Sequence, residues 1–377
     1  MSGRGGTGVD AVVAGGGTAG HVLPGIAVAR ALTARGWSVH YVGATRGIEA
    51  QLVPDAGIDH TLLPGRGIQR RLSLANFGAL WGIAKAVVQA IGLVRRLRPR
   101  VVLALGGYAS FPCVAAAVLW RVPIVVAEQN THPGAANRLA ARFARASAVA
   151  FPGTPLPRAV VTGNPVRPEV LAVDRSAAGM AAARAELGLP SDRRVVLVAG
   201  GSLGARSIND ATLGLAEAWS GRSTVAIRHV VGRRDWDAIH AAVPPDLAGG
   251  RPDRLVYQQV EYETAMPTAL AAADVGVFRS GSGTCFEIAA VGLPSVLVPS
   301  PFVTGDHQTG NARWLADAGG AVVVADVELS SGRLAAELDA LLDDPDRRAS
   351  MTEALAHLAR PGAADAIADL VEHHARP

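Results

Sequence analysis

His21 is the residue whose type and position best suit acid–base chemistry. It directly follows the glycine-rich run of residues 15–20, which separates a short apolar segment from an Ala-rich one. In open α/β sheets, ligands bind beyond the carboxyl ends of the strands, where loops of this kind lie. An imidazole placed there can act as a general base near neutral pH. A single histidine can equally be structural or solvated, so the residue type alone leaves both interpretations open.

Hydroxyls and a carboxylate stand at a similar place in the second half of the chain. Residues 279–284 read Arg-Ser-Gly-Ser-Gly-Thr, and Glu287 follows within the first turns of a predicted helix. A glycine loop and a helix N-terminus offer backbone N–H groups to a phosphate. Glu287 can accept hydrogen bonds from both hydroxyls of a ribose. The alternative is that Glu287 only compensates the helix dipole.

Two polar strings stand beside apolar strands and suit the recognition of sugar hydroxyls and an N-acetyl group. One is residues 128–130 with Asn137, and the other is residues 306–308 with Asn311. Asp344 and Asp346 superficially resemble a metal-binding acid pair, but they lie in a polar turn near the C-terminus. We therefore expect no metal site there and no required cofactor.

The run Gly15-x-Gly17-x-x-Gly20 matches the fingerprint of a dinucleotide-binding loop. Such a site also needs an acid at the end of the second strand to hold a ribose hydroxyl. Here that strand ends in Ala44 and Thr45, and Glu49 is already inside the next segment. The sequence therefore predicts a phosphate-binding loop and disfavours a nicotinamide nucleotide.

The two halves of the chain repeat one order of elements. Each has a strand, a glycine loop and a helix, then a second glycine loop, at residues 106–110 and 279–284, followed by a helix, a proline and a strand. This alternation predicts an α/β protein of two doubly wound, Rossmann-like parallel-sheet domains that face each other across a cleft. A loop with two prolines marks the boundary, giving domains 1–166 and 167–362 and a final helical segment, 363–377, packing back toward the first domain.

The predicted elements follow from short β-branched runs that alternate with helical stretches. Strands are predicted at residues 9–14, 38–43, 101–105, 122–127, 146–151, 159–162, 194–199, 226–231, 254–258, 275–278, 295–299 and 321–324. Helices are predicted at residues 21–35, 47–56, 74–97, 110–120, 133–144, 176–187 and 363–375.

Composition excludes several classes of protein. The 377 residues are 49% hydrophobic and 18% charged, which indicates a globular chain. Aromatic residues make up 5%, and no basic run interleaves with them, so we expect no nucleic-acid partner. Cys113 and Cys285 lie in different halves without metal-ligand spacing, which favours buried thiols in a reducing compartment. Residues 1–8 do not resemble a secretory signal.

The segment 74–94 has 21 residues, and Lys85 is its only charged residue. A helix needs about 20 residues to cross a bilayer, so this segment is just long enough. Polar residues and glycines dilute this segment, so we predict a helix of the α/β fold and no membrane span. The flanking arginines are Arg66, Arg70, Arg71, Arg95, Arg96, Arg98 and Arg100. An apolar helix with a basic collar fits either a core helix with a solvated end or a helix resting on an anionic membrane surface.

Several motifs, in order along residues 9–371, make the chain resemble the MurG family of glycosyltransferases. They are residues 17–21, 106–110, 128–130, 163–167, 201–206, 279–287 and 306–308. The resemblance implies the GT-B fold and an inverting transfer of N-acetylglucosamine from UDP-N-acetylglucosamine to lipid I, undecaprenyl-pyrophosphoryl-N-acetylmuramyl-pentapeptide. The product would be lipid II, a precursor for the cell wall and hence for cell shape and division.

The resemblance also implies roles for individual residues, with His21 as the catalytic base. Glu287 would hold the ribose, Arg167 would lie near the uracil, and Ser202 would contact the diphosphate. The implied donor-binding residues are Thr18, Gly20, Asn130, Arg167, Ser202, Ser282, Gly283, Thr284, Glu287, His307 and Gln308. The implied acceptor-binding residues are Gly17, Gly20, Gly107, Tyr108, Glu128 and Asn137.

By the same resemblance, the region 66–100 would contact an anionic membrane at the cytoplasmic face of the cell membrane, beside other proteins of cell-wall synthesis. Three alternatives stay open. One is a GT-B glycosyltransferase for a soluble natural product. Another is a UDP-N-acetylglucosamine 2-epimerase-like isomerase, which would release free sugar without lipid. The third is a non-catalytic homologue, which the presence of His21 and Glu287 disfavours.

Overall fold

The computed structural model describes residues 8–64, 75–201, 203–245, 247 and 253–377, except for the side chains of residues 75–81. The chain forms two compact units. Unit 1 consists of Met1–Val166 and Arg360–Pro377, and unit 2 consists of Arg167–Ala359. The C-terminal segment thus joins unit 1 from Arg360, three residues before the predicted segment 363–377.

Within the described residues, unit 1 contains a seven-stranded parallel sheet in the order β3-β2-β1-β4-β5-β6-β7. Its strands are β1 (Ala11–Ala14), β2 (Val39–Ala44), β3 (His60–Leu63), β4 (Val101–Ala104), β5 (Ile124–Glu128), β6 (Ala146–Val149) and β7 (Ala159–Val161). The strand order reverses between β1 and β4, which makes their carboxyl ends the expected ligand position of this sheet.

Within the described residues, unit 2 contains a six-stranded parallel sheet in the order β10-β9-β8-β11-β12-β13. Its strands are β8 (Arg194–Ala199), β9 (Val225–Val230), β10 (Val256–Val260), β11 (Val275–Phe278), β12 (Ser295–Leu297) and β13 (Ala321–Val323). The order reverses between β8 and β11, as it does between β1 and β4. The prediction of two parallel-sheet α/β domains is confirmed.

Helices connect the strands in both units. They are α1 (Ala19–Ala34), α2 (Glu49–Asp55), α3 (Ala75–Leu97), α4 (Ser110–Leu119), α5 (Ala135–Ala140), α6 (Pro168–Leu171), α7 (Ala177–Glu186), α8 (Arg206–Ala218), α9 (Trp236–Ala241), α10 (Met266–Ala272), α11 (Ser282–Val291), α12 (His307–Asp317), α13 (Ser331–Leu342), α14 (Pro345–Leu358) and α15 (Ala363–His374). Among the helices of the described segments, none has the length and apolar character needed to cross a membrane.

The sheet of unit 1 is buried on both faces, since successive side chains of its strands point to opposite sides. In β1, Ala11 and Val13 join a core with α1, whereas Val12 and Ala14 join a core with α3 and α4. Helix α15 packs against α1, and Arg35 forms ion pairs with Asp365 at 2.9 Å and, through another guanidinium nitrogen, with Asp369 at 2.6 Å.

Strand β3 was not predicted from the sequence. Its four residues, His60–Leu63, include a single buried side chain, Leu63, because the strand lies at the edge of the sheet. A short edge strand of this kind lacks the apolar run that identifies the central strands. The thiols of Cys113 and Cys285 are buried, as predicted.

Candidate functional site

A cavity of about 990 Å³ opens in unit 2 beyond the carboxyl ends of β8 and β11. Its volume is in the range of small-molecule sites. The residues around it come from the two glycine loops, the start of α8, the segment 262–270 and α11. Those used below are Arg167, Gly201, Gly204, Arg206, Ser207, Arg279, Gly281, Thr284, Glu287, Gln308 and Asp326. The cavity therefore lies at the reversal of strand order in this sheet.

The loop between β8 and α8 forms one wall of the cavity. Gly201 and Gly204 have φ angles of 94° and 84°, and the N–H of Gly204 donates to the carbonyl of Gly201 at 2.9 Å. A Cβ atom on Gly204 would lie 2.2 Å from the Val231 carbonyl oxygen, so only glycine fits there. The loop thus presents backbone to the cavity immediately before α8. The predicted diphosphate contact Ser202 lies outside the described residues.

The loop between β11 and α11 is tied to the start of α8 by an arginine that the sequence analysis did not single out. One guanidinium nitrogen of Arg279 donates to Asp326 Oδ1 at 2.5 Å, and the other donates to Ser207 Oγ at 3.0 Å. Ser207 Oγ in turn donates to Asp326 Oδ1 at 2.6 Å. This network holds the N-termini of α8 and α11 at the same cavity, where both can face a negative charge.

Helix α11 carries three of the predicted donor residues in its first turn. Ser282 is its first residue, and the Ser282 hydroxyl is buried without a hydrogen-bond partner among the described residues. Gly283 follows, and Thr284 lines the cavity together with Gly281. A buried hydroxyl without a partner is unfavourable unless a ligand or water satisfies it.

Glu287 and Arg167 form an ion pair at the wall of the cavity. The Nε and Nη2 atoms of Arg167 both lie 2.9 Å from Glu287 Oε1. Burial raises the pKa of the Glu287 carboxyl above its ordinary value, and the Arg167 guanidinium acts in the opposite direction. The structure therefore brings together two predicted donor residues that are 120 positions apart in sequence.

Gln308 lines the same cavity at the start of α12 and joins two loops. Its side-chain oxygen accepts from the Ser300 N–H at 2.8 Å, and its carbonyl accepts from the Ser280 hydroxyl at 2.8 Å. The neighbouring His307 has its Nδ1 atom 2.8 Å from the Thr304 carbonyl oxygen. Gln308 is thus held at the cavity wall, and sugar contacts by Gln308 and His307 stay predictions.

In unit 1, His21 lies in the first turn of α1, after the loop that follows β1. Its Nδ1 atom is 3.0 Å from the Thr18 hydroxyl, and Thr18 occupies the N-cap position of the helix. An imidazole at this position can act as a general base near neutral pH. Residues 17–20 are exposed, so this turn is open to a ligand.

The second glycine loop of unit 1 packs directly against the first. Gly106 and Gly107 have φ angles of 88° and 73°, and a Cβ atom on Gly107 would lie 2.4 Å from the Gly16 carbonyl oxygen. Tyr108 follows, and its hydroxyl donates to the Pro64 carbonyl at 3.3 Å. The predicted acceptor loops therefore meet at the carboxyl ends of β1 and β4.

Glu128 ends β5 and organises the loop after it. Its Oε1 atom accepts from the Asn130 backbone N–H at 3.0 Å, and its Oε2 atom accepts from the Gly134 N–H at 3.0 Å and from Asn137 Nδ2 at 2.9 Å. Asn137 Oδ1 is buried without a partner among the described residues. The occupied carboxylate makes Glu128 a poor alternative base, and its direct contact with an acceptor stays a prediction.

The predicted donor residues fall into two groups. Those in unit 2 that the structure describes surround or adjoin one cavity, namely Arg167, Ser282, Gly283, Thr284, Glu287, His307 and Gln308. The other three lie in unit 1: Thr18 and Gly20 adjoin His21, and Asn130 adjoins Glu128. Each unit therefore has one cluster of predicted residues at the carboxyl ends of its central strands.

The sequence analysis did not recognise the role of Glu49. This side chain is fully buried, and its two carboxylate oxygens accept from the N–H groups of Gly17 and Ala44, each at 2.9 Å. The acid expected at the end of β2 thus exists one turn later, but it faces the glycine loop and cannot reach a ribose. Gly16, Gly43 and Gly47 were the available signal, because their missing side chains make room for it.

Comparison with known proteins gives consistent matches over both units. Residues 11–149 match the glycosyltransferase family 28 N-terminal domain, and residues 195–370 match the C-terminal domain of that family.

Two relatives that cover nearly the whole chain carry the name UDP-N-acetylglucosamine–N-acetylmuramyl-(pentapeptide) pyrophosphoryl-undecaprenol N-acetylglucosamine transferase. The protein of that name from Frankia casuarinae is 41% identical over 362 residues, which cover 96% of this chain and 94% of the relative. The one from Moorella thermoacetica is 40% identical over 370 residues, covering 96% and 97%. The crystal structure of Acinetobacter baumannii MurG matches with a TM-score of 0.75 at 28% identity, covering 97% of this chain and 99% of that one.

Proposed function

Since the chain belongs to glycosyltransferase family 28 and to its MurG-type, GT-B N-acetylglucosamine transferases, we propose that it moves N-acetylglucosamine from UDP-N-acetylglucosamine to lipid I. The product is lipid II, for peptidoglycan synthesis. The observation that carries the proposal from the structure is the cavity of unit 2, where the Arg167–Glu287 pair lies beside two glycine loops and two helix N-termini. A uridine diphosphate needs these features together: an acid for the ribose and N–H groups for the phosphates.

In the proposed donor complex, the ribose hydroxyls donate to Glu287, whose Oε2 atom is not the one that Arg167 holds. The diphosphate faces the loop of Gly201 and Gly204 and the N-terminus of α11. These dipoles stabilise the negative charge that develops on UDP as the glycosidic bond breaks. We propose that they do so without a required metal ion or cofactor.

In the proposed reaction, the acceptor hydroxyl attacks the anomeric carbon of N-acetylglucosamine. Its proton passes to the His21 imidazole, the new C–O bond forms, and the bond between the anomeric carbon and the β-phosphate oxygen breaks with inversion. The acceptor diphosphate faces the first turn of α1, which carries His21, and the loop of Gly107, which packs against Gly16.

A transfer assay tests this function directly. Purified full-length protein is mixed with radiolabelled UDP-N-acetylglucosamine and a short-chain lipid I analogue, and label in the lipid product is measured. We expect label transfer that depends on the analogue and persists in EDTA. Free epimerised sugar without the analogue, or transfer to soluble acceptors alone, would contradict the proposal, and loss of turnover in EDTA would contradict its metal independence.

The donor site should respond to pH through Glu287. Burial raises the pKa of this carboxyl, and Arg167 lowers it. The carboxylate form is the one that accepts from both ribose hydroxyls, so UDP affinity should be present above this pKa and lost as pH falls through it. Arg167→Gln removes the lowering effect, so the loss should begin at higher pH than in the wild type.

Calorimetric titration with UDP from roughly pH 8 to pH 5 measures this shift. Arg333→Gln is the control, because Arg333 pairs with Glu337 on the exposed face of α13, away from the cavity. The same pH dependence in the Arg167 and Arg333 variants would contradict the assignment.

We also propose that the protein binds peripherally to an anionic membrane, at the cytoplasmic face of the cell membrane, through the region 66–100. Helix α3 buries Ala90 and Val94, and its Arg95 guanidinium lies 5.6 Å from the centre of the Trp120 ring. Leu119 and Trp120 are exposed beside it. The apolar side chains expected to contact the membrane are Phe77, Leu80, Trp81 and Ile83. Ile83 is half-buried, whereas the side chains of the other three, and Arg66, Arg70 and Arg71, lie outside the described residues.

Replacing Arg95 and Arg96 with Glu should reduce binding to anionic vesicles and leave UDP binding in place, because arginines near an anionic surface are attracted to it. High salt should weaken wild-type binding in the same direction. Vesicle sedimentation measures both effects. The charge-matched control replaces two exposed arginines of unit 2 with Glu, Arg313 in α12 and Arg347 in α14. A wild-type protein that ignores anionic vesicles at low salt would contradict the membrane proposal.

A further inference from the structure

The carboxylate of Glu49 is buried and contacts the glycine loop of residues 15–20 from the interior of unit 1. It lies in the first turn of α2, is fully buried, and accepts hydrogen bonds from Gly17 N on one oxygen and Ala44 N on the other, each at 2.9 Å. We infer that Glu49 is a positioning residue for the proposed base His21. The inference rests on the proposed function, because it assigns Glu49 an effect that acts through that base.

The side chain of Glu49 fills a space that neighbouring glycines leave open. A Cβ atom on Gly16 would lie 2.0 Å from Glu49 Oε1, one on Gly47 would lie 2.0 Å from Glu49 Oε2, and one on Gly43 would lie 2.5 Å from Glu49 Cγ. Three glycines, from two loops and a strand, therefore leave the space that the Glu49 side chain fills. A buried carboxylate is unfavourable unless hydrogen bonds compensate it. The hydrogen bonds from two backbone N–H groups therefore restrain both the carboxylate and the backbone that donates to it.

Gly17 is the residue of the glycine loop that Glu49 restrains. It has a φ angle of 95°, and its N–H donates to Glu49 Oε2, so this bond ties the loop to the buried carboxylate. Thr18 follows in extended conformation as the N-cap residue of α1, and its hydroxyl lies 3.0 Å from His21 Nδ1. Through Gly17, Glu49 thus sets the direction in which Thr18 and His21 leave the loop.

The hydrogen bond between Gly17 and Glu49 also limits which backbone N–H groups of the loop can bind a phosphate of the acceptor. The Gly17 N–H is occupied by Glu49, and a buried negative charge behind it disfavours a phosphate at that point. The exposed first turn of α1, at Ala19 and Gly20, remains open to the phosphate. The acceptor diphosphate is therefore displaced along α1 toward His21.

A double-mutant cycle on the full-length protein tests the inference. The variants are Glu49→Gln, Glu49→Asp, His21→Ala and the two combinations, assayed with radiolabelled donor and a lipid I analogue. Gln removes the charge and leaves one N–H without an acceptor, whereas Asp keeps the charge but is too short to reach both. Either variant alone should lower kcat about 10- to 100-fold, as small misplacements of a catalytic group do, with the Kd for UDP unchanged within about twofold.

In the His21→Ala background, the same Glu49 changes should lower kcat by less than about twofold, because a positioning effect vanishes with the group that is positioned. Asp274→Asn is the control: Asp274 is a buried acid of unit 2 that accepts from the Val195 N–H at 2.7 Å and pairs with Arg184. Its effect on kcat should be the same with or without His21.

Two outcomes overturn the inference in distinguishable ways. If His21→Ala keeps most of its turnover, the proposed base is wrong and the role of Glu49 fails with it. If His21→Ala is impaired but the Glu49 changes are silent, or multiply with it as Asp274→Asn does, the base stands and the inference alone fails. The far-UV circular dichroism spectrum and thermal unfolding of each variant report on its folding in both cases.

Discussion

His21→Ala is expected to lower kcat by roughly 10²–10⁴ and to leave the affinity for UDP nearly unchanged. The imidazole lies in the first turn of α1, with Nδ1 3.0 Å from the Thr18 hydroxyl, next to an exposed turn that a ligand can reach. A general base acts in the transition state, so its removal should affect turnover more than binding. Steady-state kinetics at saturating donor and acceptor, with UDP calorimetry on the same samples, measures both quantities.

His60→Ala is the matched control, because His60 is an exposed histidine of the same unit at the start of β3. It should retain wild-type turnover. A His21 variant that keeps most of its turnover would transfer the role to another group. Glu128 is poorly suited to act as the general base in place of His21, because both of its carboxylate oxygens already accept hydrogen bonds from its own loop.

Glu287→Ala is expected to weaken UDP binding by about 10- to 150-fold, which corresponds to about 1.5–3 kcal/mol for charge-assisted hydrogen bonds. The change removes the proposed acceptor of both ribose hydroxyls and leaves Arg167 without its partner. Calorimetric titration with UDP measures the loss. Glu337→Ala, which breaks only the surface pair with Arg333, should leave UDP affinity unchanged. Unaltered UDP binding in a folded Glu287 variant would contradict the assignment.

Much of the fold could be predicted because the central strands are short, apolar and buried on both faces. The runs that form β8 and β11 matched their predicted bounds, since neighbouring strands and helices exclude water from every side chain in β11 and from all but the first in β8. The edge strand β3 escaped prediction because three of its four side chains are not buried. Local sequence carries little information where burial is incomplete.

Part of the site could be predicted because some of its residues form local sequence patterns. The glycine loops and the acid at Glu287 are local patterns, with glycines required by positive φ angles or close backbone contacts. The Arg167–Glu287 pair and the contact between Arg279 and Asp326 join residues far apart in sequence. Spacing alone does not predict such contacts, because they depend on how the loops fold. The position of Glu49 after β2 was predicted, but its contact with Gly17 was not, because the sequence does not show in which direction its side chain points.

The most direct test of this division of roles compares Glu287→Ala and His21→Ala at donor concentrations raised until turnover saturates. Glu287 is proposed to bind the donor, and His21 is proposed to act in the chemical step. We therefore expect the Glu287 variant to recover most of the wild-type kcat at saturation, while the His21 variant stays roughly 10²-fold or more below it. A His21 variant that recovers with added donor, or a Glu287 variant that does not, would contradict these roles.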